Sequence, residues 1–309
     1  MGTLLGHALP GSFFLLFAVW RLVQIVRRLQ LLANRCRKST GSLSRPTFYT
    51  SATYPCCFGW CARWPMEGAA KVLVTTIGMA GELWASTDYG RAGRIIWWGD
   101  IQHVTMYLLF CVSGVVDILR WKRFAFVPPG TDFLALCLAF VGEYVIFSHH
   151  MHGRIEFDVL VHTLLLYVIG ATVVTILLEL RYGDSVLAAL ATTYFIFVQG
   201  TWFIQVGLML YPPSPAFHLN DRPNEEDNMM IATMVFAWHL VGAFVMLLGC
   251  YVVLGRIFDH VCAPSQWESW DEVLIQQQPP DGSRPDVDSS VDDFSDAELF
   301  IELSTETPT

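Results

Sequence analysis

Seven apolar stretches, each about long enough to cross a bilayer, fill most of this chain. A helix needs about 20 mainly apolar residues to traverse the hydrocarbon layer. The stretches are roughly Ala8–Val26, Met66–Ala85, Ile96–Leu119, Thr131–Ser148, Val159–Leu180, Val186–Leu210 and Met229–Ile257. They must be helices, because an open strand in lipid leaves its backbone groups unpaired. The expected fold is all-α: a polytopic membrane protein with a seven-transmembrane-helix bundle over residues 1–258 and a tail over 259–309. Only 15% of the residues are charged and mean hydropathy is +0.43, whereas soluble domains carry about 25% charged residues.

The net charge of −9 is unevenly spread. From Asp259 onward there are 13 acidic residues against Arg284 alone, which leaves the first 258 residues at +3. Such a tail, also rich in Ser, Gln and Pro, is expected to be disordered. Within it Ser289, Ser290 and Ser295 each precede an acidic residue by three positions and are candidate phosphorylation sites; Ser295 with Glu298 equally fits a helix cap.

Orientation follows from Lys and Arg, which concentrate in cytoplasmic loops. Loop 27–65 holds Arg27, Arg28, Arg35, Arg37, Lys38, Arg45 and Arg63, and Arg120, Lys122 and Arg123 follow the third span. Both loops lie on one side in a seven-span arrangement, so the N-terminus is expected to be luminal or extracellular and the tail cytoplasmic. Met1–His7 contains no Lys or Arg, unlike the basic start of a signal peptide, so the first span reads as an anchor. Five of the eight cysteines fall on the expected cytoplasmic side, where thiols stay reduced. Cys56, Cys57 and Cys61, just before the second span, are candidates for palmitoylation. There is no Asn-x-Ser/Thr sequon.

Ionisable residues inside a membrane are costly and mark functional or packing sites. Placing His7, Glu82, His103, Glu143, His149, His150, His152, His162 and His239 on the topology brings most of them to the outer half of the bundle. Gln102, Gln199, Trp202 and Gln205 join them there. Helical spacing puts Glu143 and His150 on one face if the helix continues, and likewise Asp158 and His162. Asp158 is then placed to orient the His162 ring, as carboxylates orient metal-bound histidines. Four chemistries fit. A divalent metal such as zinc takes three or four N, O or S ligands, drawn from His103, His150, His162, His239 and Glu143. Haem between His103 and His162 is a second, a proton or ion path a third, and interhelical hydrogen bonding that fixes the bundle a fourth.

The motifs resemble the transmembrane protein 45 family from Gly6 to about Tyr251, apart from most of the first cytoplasmic loop. They are Gly6-His7-Ala8-Leu9-Pro10-Gly11-Ser12-Phe13-Phe14, Glu67-Gly68, Gly81-Glu82, Gln102-His103 with Thr105-Met106-Tyr107, and Ser113-Gly114 with Val116-Asp117. Glu143, His150 with His152, Asp158, His162 with Leu164-Leu165-Leu166-Tyr167, Gln199-Gly200-Thr201-Trp202, Gln205 and Trp238-His239 complete them. The resemblance implies a multi-pass protein of Golgi, endosomal and lysosomal membranes, with the plasma membrane as a further location, and no assigned catalysis. Two departures are Ile101, where the family has an aromatic residue, and a longer, Cys-rich first loop.

A G-protein-coupled receptor is disfavoured: span three ends in Asp117-Ile118-Leu119-Arg120, and span seven has no Asn-Pro-x-x-Tyr. The expectation is a non-enzymatic endomembrane protein acting in trafficking or signalling. The alternative is an intramembrane zinc hydrolase, which resembles the ceramidase and progestin-receptor-like superfamily in architecture only. The expected partners are the lipid bilayer and proteins that engage the cytoplasmic loop and tail; nucleic acid is not expected.

Overall fold

The structure, a computed structural model, describes residues 3–38, 48–54, 64–86, 98–122, 126–151, 153–213 and 225–261. Cys56, Cys57, Cys61, His152, Ser289, Ser290 and Ser295 lie outside the described residues. Among those described, all regular structure is helical: α1 (Leu4–Lys38), α2 (Met66–Ser86), α3 (Trp98–Trp121), α4 (Thr131–His149), α5 (Glu156–Arg181), α6 (Val186–Leu210) and α7 (Glu225–Val261).

The helix order matches the apolar stretches, but α1 and α7 outrun theirs. Their 35 and 37 residues make rods about 50–55 Å long at 1.5 Å per residue, well beyond a hydrocarbon core of about 30 Å. Hydropathy marks where lipid ends, not where the helix ends. Arg, Leu and Gln beyond Val26 are good helix formers and carry α1 onward.

Among the described residues six helices are long and apolar enough to cross a membrane; α2 is the exception. It holds Glu67, Lys71 and Glu82 within its 21 residues. Lys71 is neutralised from α3, where Asp117 accepts its Nζ–H at 2.5 Å.

Small residues set the closest helix approaches, as is common where lipid supplies no hydrophobic drive between helices. In the antiparallel α1–α6 pair, a Cβ built on Gly200 would stand 2.6 Å from the Leu15 amide nitrogen and 2.8 Å from the Gly11 carbonyl oxygen. In the antiparallel α2–α3 pair, Gly68 and Gly114 meet near one end, Gly78 abuts Tyr107 in the middle, and Glu82 meets His103 at the other end. Leu109 of α3 fits against Gly142 of α4. Helices α5 and α6 form the centre: 56% of the most apolar window of each is buried, against 11% for α7. Val241, Phe244, Val245 and Val252 of α7 are exposed, as on a lipid-facing helix.

The helix connections place polar groups at two opposite ends of the bundle. The α4–α5 turn uses Gly153 at φ 79°, the left-handed region that glycine enters without strain. It carries His150 and Arg154 to the end that also holds His7, Glu82 and His103. At the other end, the irregular segment 48–54 packs between helices, with Phe48, Ala52 and Tyr54 buried. The Thr50 amide donates to the Gly183 carbonyl at 2.6 Å.

Candidate functional site

At the His7 end, α1 stands apart from α3 and α4, and a cavity of about 80 Å³ opens between them. That volume has room for several waters or one small ligand. Gly6, His7, Pro10 and Phe14 of α1 form one wall. Glu82 of α2 and His103, Met106, Tyr107 and Phe110 of α3 form another. Glu143, Phe147, His150, Arg154, His162 and Phe203 close it from α4, the α4–α5 turn, α5 and α6. Helical periodicity explains the α1 wall: His7 and Phe14 are seven residues apart, two turns along one face.

The rim is a chain of hydrogen bonds. Gln102 Oε1 lies 2.8 Å from His150 Nδ1, and Arg154 Nη2 lies 3.0 Å from His150 Nε2. A guanidinium only donates, so Nε2 accepts and the proton sits on Nδ1. This His150 is neutral. Burial, with the His103 ring and the Arg154 guanidinium beside it, holds its pKa well below the ordinary imidazole value. Arg154 Nη1 also donates to Asp158 Oδ2 at 2.8 Å. His162 Nδ1 lies 2.7 Å from Asp158 Oδ1 and 2.8 Å from the Asp158 carbonyl. With acceptors on that side, Nδ1 carries the proton and Nε2 is left free. The expected Asp158–His162 pairing is thus present. Further contacts join Glu82 to His103 at 3.4 Å and set the His7 ring edge-on to His162 and the His103 ring tilted against His150, with ring centroids 5.7 and 5.1 Å apart.

Deeper in, the Gln199 amide donates to both carboxyl oxygens of Glu143 at 3.1 Å each. Both side chains are buried. Below the cavity Phe14 gathers Phe110, Phe140 and Phe203 at 5.5–6.0 Å between centroids, an apolar floor.

The expected metal set is not gathered as one group of donors. Among the described residues no three or more His, Cys, Asp or Glu are grouped to hold a metal ion. His150 gives its one free lone pair to Arg154, so a metal there would have to displace a cation. His239 belongs to a different contact: its Nε2 lies 2.7 Å from Thr201 Oγ1, and its ring stands against Trp202. Trp202 turns from the cavity and donates Nε1–H to the Val161 carbonyl at 3.1 Å. Gln205 is half-buried on α6 and His149 exposed; neither lines the cavity. The cavity is far smaller than a porphyrin, so His103 and His162 do not frame a haem.

Two features escaped the sequence reading. One is Arg154, whose place in the α4–α5 turn, four residues from both His150 and Asp158, brings it to both. The second feature is a buried charge network at the opposite end. Arg21 Nη2 donates to Glu179 at 2.8 and 3.0 Å with both side chains wholly inaccessible. Thr50 Oγ1 also donates to Glu179. Glu67 accepts from Trp20 Nε1 at 3.0 Å and from the Tyr54 amide at 2.7 Å. Arg28 donates to the Tyr49 carbonyl and lies over the Tyr54 ring. The signal was available in Arg21, Lys71, Asp117 and Glu179 lying inside or at the edges of apolar stretches, but basic residues there read as topology markers.

Residues 129–252 match a family described as "Family of unknown function (DUF716)". That range covers α4 to most of α7, and so Glu143, His150, Arg154, Asp158, His162 and Gln199, but not the α1–α3 wall. The chain is similar to "Transmembrane epididymal protein 1" of Rattus norvegicus, at 23% identity over 85% of this chain and 83% of that one. It is also similar to "Transmembrane epididymal protein 1A" of Mus musculus, at 23% identity over 92% and 90% of the two chains. The human "Transmembrane epididymal protein 1" is 25% identical over 51% of this chain and 57% of that protein. Apolar helices and transmembrane relatives together make this an integral, multi-pass membrane protein.

Proposed function

We propose that this chain is a seven-span membrane protein that binds a small polar ligand in the His7-end cavity, and that binding rather than turnover is its activity. One observation carries the reading. Ionisable side chains from α1, α2, α3, α4, the α4–α5 turn and α5 line a single cavity, at a depth where such groups are expensive. Hydrogen bonds that merely fixed the bundle would not need a hollow among them. The mixed lining, aromatic below and polar at the rim, is typical of small-molecule sites.

The seventh span in this reading is α2, which lies antiparallel against α3 from Gly68 to Glu82, with its lysine paired. The Lys and Arg of loop 27–65 support a cytoplasmic position for the Arg21 end, so the cavity faces the lumen or exterior. Resemblance to the transmembrane protein 45 family supports Golgi, endosomal or lysosomal membranes. Loop 27–65 and tail 259–309 are the surfaces through which such a protein would act in trafficking or signalling. The zinc hydrolase alternative is less favoured, because His150 is held by Gln102 and Arg154, His239 lies against Thr201, and among the described residues no three or more His, Cys, Asp or Glu are grouped to hold a metal ion.

The test is ligand-dependent stabilisation of the purified protein, screened with small polar solutes beside a Met106→Trp variant that fills the cavity. A solute that raises the melting temperature of the wild type and not of the variant supports the reading. If no solute acts on either protein, binding in this cavity is excluded.

A further inference from the structure

The cavity is polar in an asymmetric way. At its rim Arg154 pairs with Asp158 at 2.8 Å, and Glu82 lies 3.4 Å from His103 Nδ1. At its depth Glu143 has no ion-pair partner among the described residues. It lies six residues before the end of α4, about 9 Å along the helix. Its contact is the Gln199 amide, a neutral donor that reaches both oxygens and leaves acceptor capacity on each. Gln199 Oε1, also buried, has no hydrogen-bond partner. The deep end therefore offers spare acceptor capacity on Glu143, with the unpartnered Gln199 oxygen behind it. It is walled by Phe14, Tyr107, Phe110, Phe147 and Phe203, whose ring faces attract cations.

We infer that the cavity takes a small ammonium group, seated on the Glu143 carboxylate and enclosed by these rings. The inference rests on the ligand-binding reading above and names its ligand class. A carboxylate set among aromatic rings is the chemistry that recognises a primary or methylated amine. An anion would be repelled by an ionised Glu143, and a neutral solute would bring no counter-charge to it. A cavity of about 80 Å³ limits the group to a small aliphatic amine. The Arg154 guanidinium does not oppose entry, because Asp158 and His150 hold it at the rim.

The experiment is calorimetric titration of the full-length protein in nanodiscs at neutral pH and constant ionic strength. The probes are methylammonium and ethylammonium chloride, their neutral counterpart propanol, and sodium propionate. The variants are Glu143→Gln, which keeps the size and a partner for Gln199, Tyr107→Leu, which removes one ring, and Glu226→Gln on an exposed position as control. The expected result is amine binding to wild type and control, weakened about tenfold or more in Glu143→Gln and less in Tyr107→Leu. Propanol binding as well as ethylammonium in the wild type overturns the cation class and leaves the ligand site standing. So does preference for propionate. Amine binding unchanged in Glu143→Gln overturns the placement. No heat with any probe, together with no stabilising solute in the screen above, overturns both.

Discussion

Arg21 and Glu179, 158 positions apart, form a two-pronged ion pair inside the bundle, with Arg21 Nη2 at 2.8 and 3.0 Å from the two carboxyl oxygens. Neither side chain reaches the surface. The pair bolts α1 to α5, and Thr50 of segment 48–54 shares the same carboxylate.

Removing one partner leaves the other charge buried alone. Arg21→Met is expected to cost about 3–5 kcal/mol, and Glu179→Met a similar amount. The double variant Arg21→Met/Glu179→Met is expected to recover much of that loss. Denaturation of the four proteins in one detergent measures the cycle; additive losses in the double variant would contradict a direct pair.

Gly200 is expected to tolerate no side chain. Its Cβ would meet backbone atoms of α1 rather than a flexible side chain tip. Gly200→Ala should separate α1 from α6 and lower stability by about 1–3 kcal/mol. Gly242→Ala, with open space around its position, should be close to neutral. Melting temperatures of the two variants against wild type provide the comparison.

Acid should loosen the rim. The folded state holds His150 below its ordinary pKa, so the unfolded chain binds more protons between those two values. Stability is then greatest above the unfolded imidazole value, about 6.5, and falls as pH drops through and below it. His150→Gln should fall less between pH 7.5 and 5.5 than wild type does. Thermal melts across that range decide it, and parallel curves would remove His150 as a source.

The sidedness of α2 is open to direct labelling. Cysteines introduced at Ser42 and Asp88, in otherwise cysteine-depleted protein, should react with an impermeant reagent from opposite faces of the membrane. Reaction of both from one face would make α2 a helix that does not span.

The order and register of the helices were legible because each must hide its backbone from lipid, and a run of apolar residues states that need locally. The spacing of Asp158 and His162 was legible for the same reason: residues four apart on a helix are neighbours wherever the helix lies. The layer holding His7, Glu82, His103 and His150 followed from depth along each span. Depth alone, however, placed His239 and Trp202 with them, and these face a different contact on α6 and α7.

What the sequence determined, then, is where the apolar helices lie and how far along each helix a polar residue sits. Only the tertiary structure decided which polar residues meet. The rotation of each helix about its axis is set by glycine contacts such as Gly11–Gly200 and by pairs such as Arg21–Glu179. These join residues far apart in the chain, and no local pattern records them. That rotation turns His150 to Arg154 and Gln102 rather than to a metal. It also leaves Glu143 facing a hollow with surplus acceptors.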